Sequence, residues 1–277
     1  MENLVFLKLG GSLITDKSRP HTPRLKTLKD LASQIASARS DDPSLLLLLG
    51  HGSGSYGHVV AKKYKTRQGF SPIPPSPAHS REVENYWHGF REVWQEADAL
   101  NQIVINALCD ENIPAMALPP SASVVARDGK VAAWNLDPLR NALSKGIVPV
   151  VYGDVVFDEV RGGTILSTED LFMHLSRQMH PQRILLAGIE ECVFADFPTR
   201  QHPIRRVTPK SFKNVSANVG SSAETDVTGG MQSKVQQMVE LVKSTPGLTI
   251  QVFSGIKHGN LIKILRGEEL GTMIEPD

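Results

Sequence analysis

LLLLLGHGSGSYGH, residues Leu45 to His58, decides the fold. An all-apolar run of strand length breaks into a glycine-rich turn that ends on a histidine. Five leucines are too few to span a bilayer and suit a strand buried on both faces of a parallel sheet. Gly50, Gly52, Gly54 and Gly57 let the backbone come close to a ligand, and a helix opening near Ser55 would aim its first N–H groups at an anion. The pattern suits a phosphate cradle. Taken alone, it also suits a flexible loop whose glycines only make the turn.

A second apolar run, Leu4 to Leu9 (LVFLKL), breaks into Gly10-Gly11-Ser12. In an open α/β sheet, ligands sit beyond the carboxyl ends of the strands, so the two turns are expected to face one cleft. Lys8 is the odd member of its strand, since an ammonium among valine, phenylalanine and leucines is costly to bury unpaired. A phosphate near the strand end would pair it; an edge lysine reaching water is the alternative.

A chain of 277 residues suits one sizeable α/β domain, or two lobes sharing a sheet. Its 30 basic residues are matched by 29 acidic ones, with no basic run, which argues against a nucleic-acid footprint. Cys109 and Cys192 lack zinc spacing and cannot form a disulfide framework. Glu2 stands where a signal peptide would be basic, and no apolar run reaches transmembrane length. The expectation is a soluble cytoplasmic protein without membrane partners.

Strands and helices alternate along the chain. Arg24 to Arg39 reads as a helix, and Gly69 to Ser80, rich in proline and serine, as a loop. Arg81 to Asn112 carries a long helical pattern with Tyr86, Trp87, Phe90, Val93, Trp94 and Leu100 on one stripe, suited to core or to the wall of an apolar pocket. Short strands follow at Ala115 to Leu118, Ser123 to Ala126, Val131 to Trp134 and Ile147 to Tyr152. Gly153-Asp154 repeats the strand-then-glycine pattern. Val155 to Phe157 and Thr164 to Leu166 read as a hairpin. Ser167-Thr168-Glu169-Asp170 opens a helix, Arg183 to Ala187 is a further strand, and Met231 to Lys243 a further helix.

Asp226-Val227-Thr228-Gly229-Gly230-Met231 leads into that last helix, which carries Lys234 in its first turn. A glycine pair before a helix with a lysine one turn in again suits phosphate, although an ordinary helix cap has the same look. Lys17, beside Asp16 after the first strand, is placed to close over phosphates or to be solvated. Asp154 is placed to order nearby lysines or to make a turn. His58 closes the glycine turn, where it can donate to a phosphate, whereas His51, His88, His174 and His180 read as structural or surface residues. Zinc-type spacing, a nucleophile elbow and a Walker A motif are all missing, so no metal ligands are expected.

KLGGSLITDK (Lys8 to Lys17), GHGSGSYGHVVAKKY (Gly50 to Tyr64), VVYGDVV (Val150 to Val156) and DVTGGMQSK (Asp226 to Lys234) together resemble the amino-acid-kinase superfamily, and within it the isopentenyl phosphate kinases. The motifs fall in the family's order and span nearly the whole chain. The resemblance implies a three-layer αβα sandwich with a mainly parallel sheet, formed by a single domain of residues 1–277. Residues 1–180 would form the acceptor lobe and residues 181–277 the ATP lobe, usually in a homodimer. It implies Mg²⁺-dependent transfer of the ATP γ-phosphoryl group to isopentenyl phosphate, in isoprenoid biosynthesis by a mevalonate pathway.

By similarity, Lys8 and Lys234 would hold the transferring phosphoryl group, with Lys17 assisting and Asp154 orienting the lysines. Gly10, Gly11, Ser12, Gly54, Gly229 and Gly230 would meet ATP, while Ser53, Gly54, Gly57, His58 and Gly153 would bind the acceptor. The helix at Tyr86 to Trp94 would wall the prenyl tail. Two departures stand out. Where the family commonly carries Thr-Asp-x-Asp-Gly, this chain reads Gly188-Ile189-Glu190-Glu191-Cys192, and Ser53 replaces a common glycine. Fosfomycin kinases share much of the histidine motif, so a kinase for another small phosphate or phosphonate stays open, as does a weakly catalytic nucleotide-binding regulator.

Overall fold

The computed structural model describes residues 3–70, 77–196, 198–215 and 230–277. The strands are β1 (Leu4–Leu9), β2 (Leu46–His51), β3 (Ala115–Ala117), β4 (Val124–Arg127), β5 (Lys130–Trp134), β6 (Val148–Tyr152) and β7 (Asp154–Asp158). They continue with β8 (Gly162–Leu166), β9 (Arg183–Gly188), β10 (Val193–Phe194), β11 (Pro203–Ile204), β12 (Arg206–Val207), β13 (Thr249–Ser254) and β14 (Thr272–Ile274). Between them run α1 (Gly11–Ile14), α2 (Leu25–Asp41), α3 (Gly54–Lys63), α4 (Pro77–Asp110), α5 (Asp137–Ser144), α6 (Thr168–Met179), α7 (Pro209–Val215), α8 (Gly230–Ser244) and α9 (Asn260–Leu265).

Eight strands form one sheet in the order β12-β14-β13-β9-β1-β2-β6-β3, parallel throughout except where β14 meets β13. Alternation along β1 divides the core. Val5, Leu7 and Leu9 pack with Leu28, Leu31 and Ile35 of α2, Leu100 and Val104 of α4, and Leu261 of α9. Leu4 and Phe6 point the other way, into Leu139 of α5, Phe172 and Leu175 of α6, and Met238 of α8. Three layers result, as the αβα expectation requires. A smaller sheet, β5-β4-β7-β8, holds the expected hairpin, in which Val155 pairs with Ile165.

The strands expected from the sequence, β1 to β9, lie within a residue or two of their expected bounds, whereas β13 was not foreseen. One boundary moved: α4 begins at Pro77, so the last four residues of the expected loop are helical. Proline is tolerated in a first turn, where no intrahelical partner awaits its missing N–H. Residues 71–76 of that loop lie outside the described residues.

β1 neighbours β2 on one side and β9 on the other, with Leu9 opposite His51 and Lys8 opposite Leu186. Chain order reverses at β1, which makes its carboxyl end the place for a ligand crevice. The two glycine turns meet there. Gly54 has a φ of +53°, and a Cβ on it would strike the Thr15 side chain and stand 2.9 Å from the Gly11 carbonyl. Thr15 Oγ1 donates to that carbonyl at 2.7 Å and accepts the Ser55 N–H at 2.8 Å, which ties the turns together. Gly54→Ala is expected to cost roughly 1–3 kcal/mol through the left-handed backbone and the clash. Urea denaturation measures it, and an unchanged midpoint would mean that the junction yields.

Candidate active site

Lys8 shares the β1 face of Leu4 and Phe6 and therefore points toward α6. It is nearly buried there and pairs with Glu169, which is itself 5% exposed. Glu169 is positioned by a capping box: the Ser167 hydroxyl accepts the Asp170 N–H, and the Asp170 carboxylate accepts the Ser167 N–H at 2.8 Å. Burial alone would raise the Glu169 carboxyl. The charges of Lys8 and then Lys234 overcome that and hold it at about 2. Two lysines from opposite ends of the chain thus converge on one carboxylate.

One cavity at the carboxyl ends of β1, β2 and β9 is lined by Lys8, Gly10, Gly11, Ser12 and Lys17 from the first turn and its loop. Ser53, Gly57 and His58 line it from the second turn, Gly153 from the end of β6, and Lys234 from α8. Most of the expected site is therefore brought together. The loop carrying Lys17 is anchored: its Thr22 N–H donates to Ser55 Oγ at 3.2 Å, and His21 pairs with Glu96 of α4 at 2.6 Å.

Three expectations fare differently. Asp154 does not meet the lysines. It accepts the N–H groups of Ser121 at 3.1 Å and Val155 at 2.8 Å, and burial pushes its carboxyl up to about 6 despite these bonds. Asp154 opens β7 fully buried, with its carboxylate turned to Ser121 and Val155, and does not line the cavity. Gly54 is committed to the junction with Thr15 and Gly11 rather than to the cavity wall. Gly230 begins α8, while Gly229, with Asp226 to Thr228, lies outside the described residues.

Glu169 is the residue that the sequence reading missed. The segment holding it reads only as a helix start, and its partner lies 161 positions away. The available signal was Lys8, a lysine in a buried strand that required a counter-charge.

At the far side of His58 the wall becomes apolar with Ala61, Val93 and Ile165. Of the aromatic stripe on α4, only Val93 reaches this cavity; Tyr86, Trp87 and Phe90 pack with Phe70 and Phe157 instead. On the opposite side the walls are Gly188, Ile189, Glu190, Val235 and Met238. Glu190 is held there by Arg200, whose Nε and Nη2 each donate to it at 2.8 Å.

The family model of the amino acid kinase family matches residues 3–254. The isopentenyl phosphate kinase of Methanocaldococcus jannaschii is 31% identical over 98% of both chains, and that of Methanothermobacter thermautotrophicus is 32% identical over the same shares. A solved structure of isopentenyl phosphate kinase superposes with a TM-score of 0.81 at 28% identity, covering 98% of this chain and 99% of that one. Together with the switch-point cavity and its lysines, these likenesses mean that the chain belongs to the amino acid kinase family, grouped within it with the isopentenyl phosphate kinases.

Proposed function

We propose that this protein transfers the γ-phosphoryl group of ATP to isopentenyl phosphate, giving isopentenyl diphosphate and ADP. The observation that carries the reading is the convergence of Lys8 and Lys234 on Glu169 in a cavity that His58 and an apolar wall share. An oxygen of the acceptor phosphate attacks the γ-phosphorus, and the bond from that phosphorus to the bridging oxygen of ADP breaks. A phosphate monoester is largely a dianion at neutral pH, so the nucleophile needs no general base. What the reaction needs is alignment and neutralisation of charge on the transferring group.

In this reading Lys8 and Lys234 face the transferring phosphoryl group, and Glu169 holds them in place. Gly10, Gly11 and Ser12 approach the nucleotide phosphates, and Lys17 closes from its anchored loop. Ser53, Gly57, His58 and Gly153 receive the acceptor phosphate, while Ala61, Val93 and Ile165 meet its hydrocarbon tail. Apart from the first glycine turn and its loop, residues 1–180 then serve mainly the acceptor and residues 181–277 the nucleotide. Val235, Met238 and Ile189, which line the cavity, supply an apolar seat for the base in this reading. Among the described residues, the carboxylates on the cavity wall are Glu169 and Glu190, and both carry cationic partners. Mg²⁺, which neutralises phosphate charge, fits as a passenger on ATP better than as a resident ion. A cytoplasmic homodimer is the proposed setting.

The test is ADP release by the purified protein with Mg²⁺ and ATP, comparing isopentenyl phosphate, fosfomycin and no acceptor, with the product identified by mass. Release that depends on fosfomycin alone would replace the reading. His58→Ala is expected to lose most acceptor turnover while ATP affinity, measured by calorimetry, stays nearly unchanged. Equal loss of both would remove His58 from the acceptor site.

A further inference from the structure

His51 is the last residue of β2 and directly precedes the cradle. Its ring is 1% exposed and stacks on Tyr152, its register partner on β6, with centroids 5.2 Å apart and planes 13° from parallel. Nδ1 lies 3.2 Å from the Gly52 carbonyl oxygen, and Nε2 lies 3.2 Å from Oδ1 of Asn101 in the buried part of α4. Burial, helped by the charge of Lys8, takes the ring down to about 4, so at neutral pH it carries a single N–H.

One N–H cannot serve two oxygens. The Gly52 carbonyl can only accept, whereas a side-chain amide turned by 180° exchanges its oxygen for its NH₂ group. With the oxygen toward His51, Asn101 Nδ2 is buried and meets no acceptor among the described residues. Turned over, it donates to Nε2, and the ring proton then sits on Nδ1 and goes to Gly52. A single rotation satisfies both contacts.

That tautomer has a consequence for the cavity. A trans peptide points its C=O and N–H in opposite directions. With the Gly52 carbonyl held toward buried His51, the Ser53 N–H faces the other way, and Gly52 and Ser53 both line the cavity. The Gly52 N–H is already spent on the Leu9 carbonyl at 3.1 Å, while the Ser53 N–H meets no backbone acceptor among the described residues. The His51 carbonyl also accepts from Thr168 Oγ1 at 2.6 Å and from the Gly153 N–H at 3.2 Å, so this residue is tied to two further walls.

We propose that His51 is a positioning residue: as its Nδ1–H tautomer, backed by Asn101, it locks the Gly52–Ser53 peptide so that the Ser53 N–H is aimed at an oxygen of the acceptor phosphate. The assignment of that oxygen rests on the acceptor reading given above; the tautomer does not.

Three substitutions separate the contacts. His51→Asn places an amide N–H near the position of Nδ1 and keeps the bond to Gly52. His51→Gln reaches Asn101 but not Gly52, and His51→Phe keeps only the stacking on Tyr152. The kcat/KM for isopentenyl phosphate is expected to fall about 10- to 100-fold in His51→Gln and His51→Phe, with the KM for ATP held within about twofold, and to recover most of that loss in His51→Asn. Loss that tracks each variant's fall in Tm and raises both KM values together would make His51 merely structural and overturn the proposal. Long-range ¹H–¹⁵N spectra of the full-length wild-type protein test it without any variant or turnover. A proton on Nδ1 is expected, and one on Nε2 would overturn it. Wild-type protein that ignores isopentenyl phosphate yet shows the Nδ1 proton would defeat the acceptor reading and leave the locked peptide standing.

Discussion

Lys8→Ala is expected to lower turnover by about 10² to 10³, the cost seen when one preorganised donor is removed from a developing negative charge. The direction follows from placement. Lys8 stands at the carboxyl end of a central strand, on the cavity wall, with its charge held by Glu169 rather than dispersed in water. An ammonium so held costs no reorganisation when the phosphoryl group moves. Single-turnover kinetics at saturating ATP and acceptor isolate this effect from binding. A rate within a few-fold of wild type would sink the role given to Lys8.

Glu169→Gln is expected to act on both stability and chemistry. Removing one partner of a buried ion pair strands the other charge, at a cost of roughly 3–5 kcal/mol. Turnover falls as well, because Lys8 and Lys234 lose the carboxylate that orders them. The pH dependence has a definite sign. The folded-state carboxyl lies at about 2, below its ordinary 4.5, so its contribution is fully present above pH 4.5 and is lost as the pH falls toward 2. That shift corresponds to roughly 3 kcal/mol. The stability gap between wild type and Glu169→Gln is therefore expected to be widest near neutrality and to close in acid, as protonated glutamate comes to resemble glutamine. Denaturant midpoints at pH 7 and pH 3 check this, and a gap independent of pH would mean that Glu169 is not the ionised partner.

The sheet and much of the site could be read directly because their signals are local. Leu4 to Leu9 and Leu45 to Leu49 announce buried strands by apolarity, and the glycines after them announce turns that admit a ligand. β13 escaped the reading because Thr249 and Gln251 interrupt its apolar pattern. Gln251 is nonetheless buried, with its amide donating to the Glu268 carbonyl at 3.3 Å. A polar residue in a central strand is acceptable only when a partner is supplied from elsewhere, and that partner is invisible in the strand itself.

The same physics divides the site. Lys8, Lys17, Gly57, His58 and Lys234 stood out as candidate site residues in their own neighbourhoods, Ser53 through the family resemblance, and one cavity gathers them. The roles of Asp154 and Glu169 were not legible there, because a carboxylate's role depends on which way its strand or helix points it. Asp154, buried at the start of β7, is turned into the protein against Ser121, while the capping box at Ser167 delivers Glu169 to Lys8. Local sequence thus determined most of the strands, the glycine turns and the cations that the cavity gathers. Only the tertiary structure decided which anion balances those cations and which tautomer of His51 sets the cradle, since buried charges and single protons are assigned by partners more than a hundred or about fifty residues away along the chain.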